Sequence, residues 1–388
     1  MPVNRTAILA ILVAASACSR SRVDETKPAE PTETRSGDMP VDTKTTTTNT
    51  DTKAKTGEPP KAKDPMKAAD GDMKKVLEEM QALGAKPVES LSIADARKQP
   101  TPADAVKRVL KKEGKSDAPI AMMKIENRKI DGPGGKLDVR IYTPKVDAKT
   151  KKPLPVVTYF HGGGFAIANN DVYDASAREI ADQSKAIVVA ADYRHAPEFK
   201  FPAAHDDAFA AYQWVLGNAQ SFGGDPTRVA VAGESAGGNL AINVSIMARD
   251  KHVEMPKHQL LIYPVATTGM NTESYSEWAN AKPLDKQSMA WFMDKYARTP
   301  ADANDPRLNV VNAKLDGLPP TTIILAEIDP LRSDGELLTK KLEAAGVKVD
   351  KKVYDGVTHE FFGMASVVGD AKDAADFAGD RLEASLKK

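Results

Sequence analysis

Ser235 lies in Gly233-Glu234-Ser235-Ala236-Gly237-Gly238, directly after the apolar run Arg228-Val229-Ala230-Val231-Ala232 and before the helix-forming Asn239-Leu240-Ala241-Ile242. A strand, a glycine-flanked serine and a helix in that order lift a hydroxyl to the tip of a sharp turn, where it can act as a nucleophile. The flanking glycines are needed because a Cβ at Gly233 or Gly237 would clash as the backbone doubles back. The helix that follows aims its positive end at the place where an oxyanion would form. A hydroxyl is a weak nucleophile on its own, so such a serine needs a base and the base needs an acid.

His161-Gly162-Gly163-Gly164 follows the strand-like Leu154-Pro155-Val156-Val157-Thr158-Tyr159-Phe160. Three successive glycines leave backbone N–H groups open to a substrate carbonyl. Alone, the run reads as a flexible turn. Placed after a strand that precedes the serine strand, it is where the rest of an oxyanion hole belongs.

The acid is sought at a strand end. Thr321-Thr322-Ile323-Ile324-Leu325-Ala326 reads as a buried strand, and Glu327-Ile328-Asp329-Pro330-Leu331 leaves its C-terminal side. Asp329 can accept a hydrogen bond from an imidazole and stabilise the imidazolium. Asp334, in the same loop, is the competing carboxylate; its alternative role is to cap a helix beginning near Gly335. Among six histidines, His359 follows the strand-like 347–354 and a turn at Asp355-Gly356, which places it after the acid. The chain order Ser235, Asp329, His359 is that of a hydrolase built on a parallel sheet.

At this point the chain resembles the hormone-sensitive-lipase-like esterases, bacterial family IV of the lipolytic enzymes. The resemblance is carried by His161-Gly162-Gly163-Gly164, Asp192-Tyr193-Arg194 with Ala196-Pro197-Glu198, Gly233-Glu234-Ser235-Ala236-Gly237-Gly238, Asp329-Pro330-Leu331-Arg332 and His359-Glu360-Phe361, across about residues 120 to 388. It implies an α/β-hydrolase fold: a mostly parallel eight-stranded sheet with helices on both faces and a helical cap. It further implies a Ser235–His359–Asp329 triad and an oxyanion hole from the N–H groups of Gly163, Gly164 and Ala236. Short- to medium-chain acyl esters are the implied substrates, with no cofactor and no metal. Ser333 departs from the family pattern, standing where relatives often carry an acid before Asp334. An amidase, deacetylase or acyltransferase could use the same triad, since it does not fix the leaving group. A surface-anchored binding protein with a hydrolase body is the remaining alternative; against it, every catalytic position is intact.

The elements that must position these residues occupy the later part of the chain. No Phe, Trp or Tyr precedes Tyr142, so the first 141 residues cannot build a substantial core alone. Beyond that point apolar strands alternate with amphipathic helices, including 171–184 and 202–219, as a parallel sheet covered on both faces requires. A long insert separates the strand at 259–263 from that at 321. Within it, Met289-Ala290-Trp291-Phe292-Met293 reads either as plain core or as the lining of an acyl pocket.

Upstream, residues 1–17 read as a signal peptide, with Arg5 before an apolar stretch too short to span a bilayer. Ala15-Ser16-Ala17-Cys18 resembles a bacterial lipobox, which makes Cys18 a lipidation site and the membrane a partner. Ordinary signal-peptide cleavage with a free thiol would use the same bond. With Cys18 the only cysteine, no intramolecular disulfide can form. Residues 18–65 are Thr-, Lys- and Pro-rich and read as a disordered tether. Over 66–115, Met73, Val76, Leu77, Met80 and Leu83 repeat with helical spacing, and Thr101-Pro102-Ala103-Asp104 starts a second helix. We expect 66–115 to form a cap over a catalytic domain at 116–388, with its insert at about 266–318. Charge is balanced at 54 basic and 54 acidic residues, and no basic, aromatic-interleaved cluster points to nucleic acid. Oligomeric state leaves no trace in the sequence.

Overall fold

A computed structural model describes residues 61–147 and 152–387. The expected signal peptide, Cys18 and all but the end of the expected tether lie outside the described residues. Eight strands form one sheet: β1 (Lys124–Gly132), β2 (Gly135–Thr143), β3 (Leu154–Phe160), β4 (Ile187–Asp192), β5 (Gly224–Glu234), β6 (Gln259–Ile262), β7 (Thr321–Ile328) and β8 (Val349–Thr358). Their spatial order is β1-β2-β4-β3-β5-β6-β7-β8. β2 pairs antiparallel with β1 and β4, and every other neighbouring pair is parallel.

The central strands are apolar on both faces, and their period of two sorts the side chains. Val156 and Phe160 of β3 point into one cluster with the helices Ala203–Asn218 and Ala236–Asp250, whereas Val157 and Tyr159 point into the other. Ile323 and Leu325 of β7 go one way, Ile324 and Ala326 the other. The helices Asp174–Ser184 and Gly369–Leu386 pack on that second face. Two buried layers therefore clamp β5, and the serine sits at its C-terminal end.

The hairpin β1–β2 has no counterpart in the sequence reading. β1 is an edge strand whose residues are mostly exposed, Lys-Ile-Glu-Asn-Arg-Lys, so it carries too little hydrophobic alternation to announce itself. β8 also differs from expectation. It does not stop before Asp355-Gly356 but continues to Thr358, through an irregularity in its pairing with β7 and a left-handed Gly356 at φ +68°. His359 thus leaves the strand directly, not by way of a turn.

The helix Gly71–Ala82 starts on Asp70 and the helix Pro102–Lys112 on Thr101, whose hydroxyl accepts from the Asp104 N–H while the Asp104 carboxylate accepts from the Thr101 N–H. The sequence places the helix start at Thr101-Pro102-Ala103-Asp104, and the structure adds that cap and acid bond reciprocally. Met73, Val76 and Leu77 bury against Ala105, Val106, Val109 and Leu110. Each helix supplies the apolar partner that the other lacks.

One face holds a charge problem. Glu179 is buried in the helix Asp174–Ser184; one oxygen accepts from the Ala365 N–H at 3.2 Å and the other has no partner. Burial pushes its carboxyl up from 4.5 to about 8. The folded state therefore keeps a proton that the unfolded chain releases. Its stabilising share is complete below the unfolded value and is lost as pH rises through about 8. The urea midpoint should fall between pH 6.5 and 9, above the range where the buried His205 and His258, both held down to about 4 by burial, act in the opposite sense. Glu179→Gln should flatten part of that fall; an unchanged slope would show that the proton sits elsewhere.

Candidate active site

Ser235 follows the last residue of β5 and precedes the helix Ala236–Asp250, with φ +55° and ψ −117°. That conformation is sterically costly for a residue with a Cβ and has to be held from outside. The Ser235 N–H donates to the Ile262 carbonyl at 2.9 Å, and its own carbonyl accepts from Asn239 and Val265. The glycines on either side are there for space. A Cβ on Gly233 would stand 2.1 Å from the Gly237 carbonyl oxygen, and one on Gly237 would stand 2.0 Å from that of Phe160.

His359 Nε2 lies 3.0 Å from Ser235 Oγ, and its Nδ1 lies 2.7 Å from Asp329 Oδ2. All three groups are buried, Ser235 at 5% exposure. The second oxygen of Asp329 accepts from the Leu331 N–H at 2.8 Å, which fixes the carboxylate plane. Burial alone would disfavour the His359 imidazolium, but the Asp329 charge and hydrogen bond, with Glu360 and Glu234 beyond, outweigh it and raise its pKa above 6.5. The residues predicted from sequence are thus brought together in the predicted order.

Asp334 is excluded from the site by its bonds. It neither meets His359 nor caps a helix: it lies inside the first turn of the helix Arg332–Ala344 and accepts from the Thr267 N–H and hydroxyl at 3.0 and 3.2 Å. Burial, with the Asp329 charge adding, pushes its carboxyl up to about 7. Its task is to tie the loop after β6 to that helix.

The glycine run leaves β3 beside the serine. Gly163 and Gly164 adopt φ +98° and +57°, and the loop closes as Ala166 and Ile167 donate back to the Gly163 carbonyl. The Gly163 and Gly164 N–H groups have no acceptor among the described residues. Ala236 opens the helix after Ser235, so its N–H lies ahead of the helical ladder. Gly163, Gly164 and Ser235 line one cavity, and Ala236 is the residue directly after the serine.

A cavity of about 130 Å³ opens over Ser235 and His359. Leu284, Met289, Phe292 and Met293 of the insert make one wall, and since Met289 and Phe292 also pack into the core, the 289–293 stretch serves both readings. Met80, Val88, residues 96–97 and residues 99–102 from the N-terminal helical region make another. Sequence reasoning missed what ties that region down. Arg97 donates to the carbonyls of Ala166 at 2.9 Å and Ala196 at 2.8 Å, and holds Glu198 through both carboxylate oxygens. A lone arginine between short helices gives no periodic signal. Also unforeseen is Glu234, fully buried behind the serine, which accepts from the hydroxyls of Tyr159 at 2.6 Å and Tyr263 at 2.5 Å.

Such a sheet, turn and triad define a serine hydrolase of α/β architecture. Comparisons agree: a family model for the alpha/beta hydrolase fold matches residues 157–363. The chain is 40% identical over 257 residues to carboxylesterase NlhH of Mycobacterium tuberculosis, covering 65% of this chain and 80% of that protein. It is 32% identical to an ethyl acetate hydrolase of Pseudomonas putida, over 77% and 92% of the two chains. A hyperthermophilic esterase from the archaeon Pyrobaculum calidifontis superposes with a TM-score of 0.71 at 35% identity, covering 79% of this chain and 96% of that one. The chain belongs to the hormone-sensitive-lipase-like esterases of the α/β-hydrolase superfamily.

The electrostatics of His359 set a pH dependence. The imidazole must be neutral to accept the serine proton, so kcat/KM should rise with pH and reach half its plateau above about 6.5. Glu360, whose Oε1 lies 3.8 Å from His359 Nε2, helps hold that midpoint up. Glu360→Gln should move it down in a pH-rate profile on a chromogenic ester; an unmoved midpoint would remove Glu360 from the electrostatics of the base.

Proposed function

We propose that the protein is a serine carboxylesterase acting on esters of short and medium acyl chains through an acyl-enzyme. The observation that carries this is the continuous line Asp329–His359–Ser235, at 2.7 and 3.0 Å, ending in an apolar cavity. His359 Nε2 takes the Ser235 proton as Oγ bonds to the ester carbonyl carbon. The negative charge that collects on the carbonyl oxygen falls among the N–H groups of Gly163, Gly164 and Ala236. Asp329 stabilises the imidazolium meanwhile. The intermediate collapses, the C–O bond to the alcohol breaks, and His359 returns the proton to the departing oxygen. Water, deprotonated by the same nitrogen, then attacks the acyl-enzyme and releases the carboxylic acid and the free serine.

Support for the acyl preference comes from the cavity's apolar walls and modest volume. Residues 66–115 act as a cap in this reading, since their 96–102 stretch lines the cavity and Arg97 ties them to the loop that follows the oxyanion glycines. Upstream we propose an N-terminal lipid on Cys18, which would hold the enzyme at a bacterial envelope membrane on a tether; the lipobox-like sequence is the support. One chain anchors only marginally, so two or three are required.

Two experiments test these readings. Ser235→Ala should cut ester turnover by roughly 10⁴- to 10⁶-fold with the fold retained and abolish fluorophosphonate labelling; Asp329→Asn should lose less, and Asp334→Asn far less again. Activity surviving in Ser235→Ala would reject the mechanism. For the anchor, the intact mass of the mature chain should carry a diacylglyceryl-type adduct at Cys18, and Cys18→Ser should release the enzyme to the soluble fraction or block its processing. An unmodified thiol at a mature N-terminus would mean a freely secreted esterase.

A further inference from the structure

His161 and Asp192 are neighbours for a reason of register. β3 and β4 run parallel with Phe160 opposite Ala191, so the next residue of each strand emerges side by side at the C-terminal edge. His195 follows three residues after Asp192 and turns back toward both: its ring centroid lies 5.4 Å from that of His161. His161 Nε2 stands 3.2 Å from Asp192 Oδ1, and His195 Nε2 stands 3.9 Å from the same oxygen. One nitrogen from each histidine and one carboxylate oxygen all fall within 4.8 Å of one another.

The hydrogen bonding of this trio is incomplete. His161 Nδ1 lies 2.7 Å from the Gly162 carbonyl oxygen, which can only accept, so that nitrogen carries a proton. In a neutral ring Nε2 is then a lone pair aimed at a carboxylate oxygen, acceptor against acceptor. His195 Nε2 is buried with no hydrogen-bond partner at all. A buried nitrogen left so calls for an explanation. A proton on His161 would settle the first contact but leave the second. One cation between the three atoms settles both.

We infer that His161, Asp192 and His195 form a binding site for a single divalent transition-metal ion of the zinc class, beside the oxyanion loop and sharing no residue with the triad. The donor set, two imidazoles and a carboxylate, is one that zinc accepts. Ligand bonds of about 2.0–2.1 Å put tetrahedral ligand atoms about 3.3 Å apart. The 3.2 Å pair already meets this, and the 3.9 Å pair needs a shift of under an ångström. The Nδ1–H of His161, given to a backbone carbonyl, is the outer contact that metal-bound histidines usually make. The Asp192 and His195 side chains keep 31% and 19% exposure, so the trio is not sealed off from solvent. Arg140 and Arg97 lie close enough to oppose a cation, although Asp171 and Glu198 pair with them. Binding should therefore be reversible and removable by chelators.

Chelator-treated enzyme would be dialysed against Zn²⁺ and titrated with Co²⁺ as an optical probe. Wild type should take up one equivalent and show the visible d–d bands of a low-coordinate cobalt site. His195→Leu, an apolar replacement of similar bulk, should weaken uptake at least tenfold while still hydrolysing a chromogenic ester, which certifies its fold. Enzyme phosphonylated at Ser235 should bind as wild type does, because its catalytic histidine is shielded and not a ligand. No uptake by wild type, equal uptake by His195→Leu, or loss of uptake on phosphonylation would each overturn the assignment.

Discussion

Everything in the site depends on the reversal of direction at Ser235. β5 must end, turn and become a helix within one residue, and the serine accepts a positive φ to make this possible. Such strain persists only where the surroundings over-determine it. Here three backbone hydrogen bonds, to Ile262, Asn239 and Val265, pin the turn from the neighbouring strand, the new helix and the loop beyond. The turn is also packed so tightly that the carbonyl oxygens of Gly237 and Phe160 would meet any Cβ on Gly233 and Gly237. Nucleophile, helix N-terminus and oxyanion loop are therefore one rigid arrangement.

Polar groups buried around that turn carry the second layer of order. Glu234 lies beneath the serine with its carboxyl pushed up to about 7 by burial, and two tyrosine hydroxyls serve its oxygens. The Tyr173 hydroxyl meets Glu360, next to the catalytic histidine. Burying carboxyls costs stability unless they are satisfied by hydrogen bonds or keep a proton. What this network contributes is direction: it fixes β3, β5, β6 and the His359 loop relative to one another at the edge where chemistry happens.

The N-terminal helices and the insert solve a different problem. A triad at a sheet edge would stand open to water. Residues from the 96–102 stretch and Leu284, Met289, Phe292 and Met293 wall it from two sides, and Arg97 fastens the first wall to the loop beyond the oxyanion glycines and to Glu198. Because the clamp touches Ala166, the wall and the oxyanion loop are positioned by one side chain.

Much of this was legible in the chain itself. Gly233-Glu234-Ser235-Ala236-Gly237, the glycine run after β3, and Asp329 and His359 at strand ends declare themselves because local backbone chemistry demands those residues at those places. The helix start at Thr101 and the apolar stripes of the two N-terminal helices are local in the same sense. β1 was not legible, because an exposed edge strand has no apolar period to read. Asp329 is the better-placed acid in the sequence, being nearer the strand end, but Asp334 competes because both are carboxylates in one loop. Tertiary structure decided between them by giving Asp334 to Thr267 and Asp329 to His359. Likewise only the fold shows Met289 and Phe292 facing the cavity, Arg97 reaching Ala166, and His161 meeting Asp192 and His195. Motifs are written by contacts between near neighbours in sequence; these pairings join residues brought together only by strand register and helix docking.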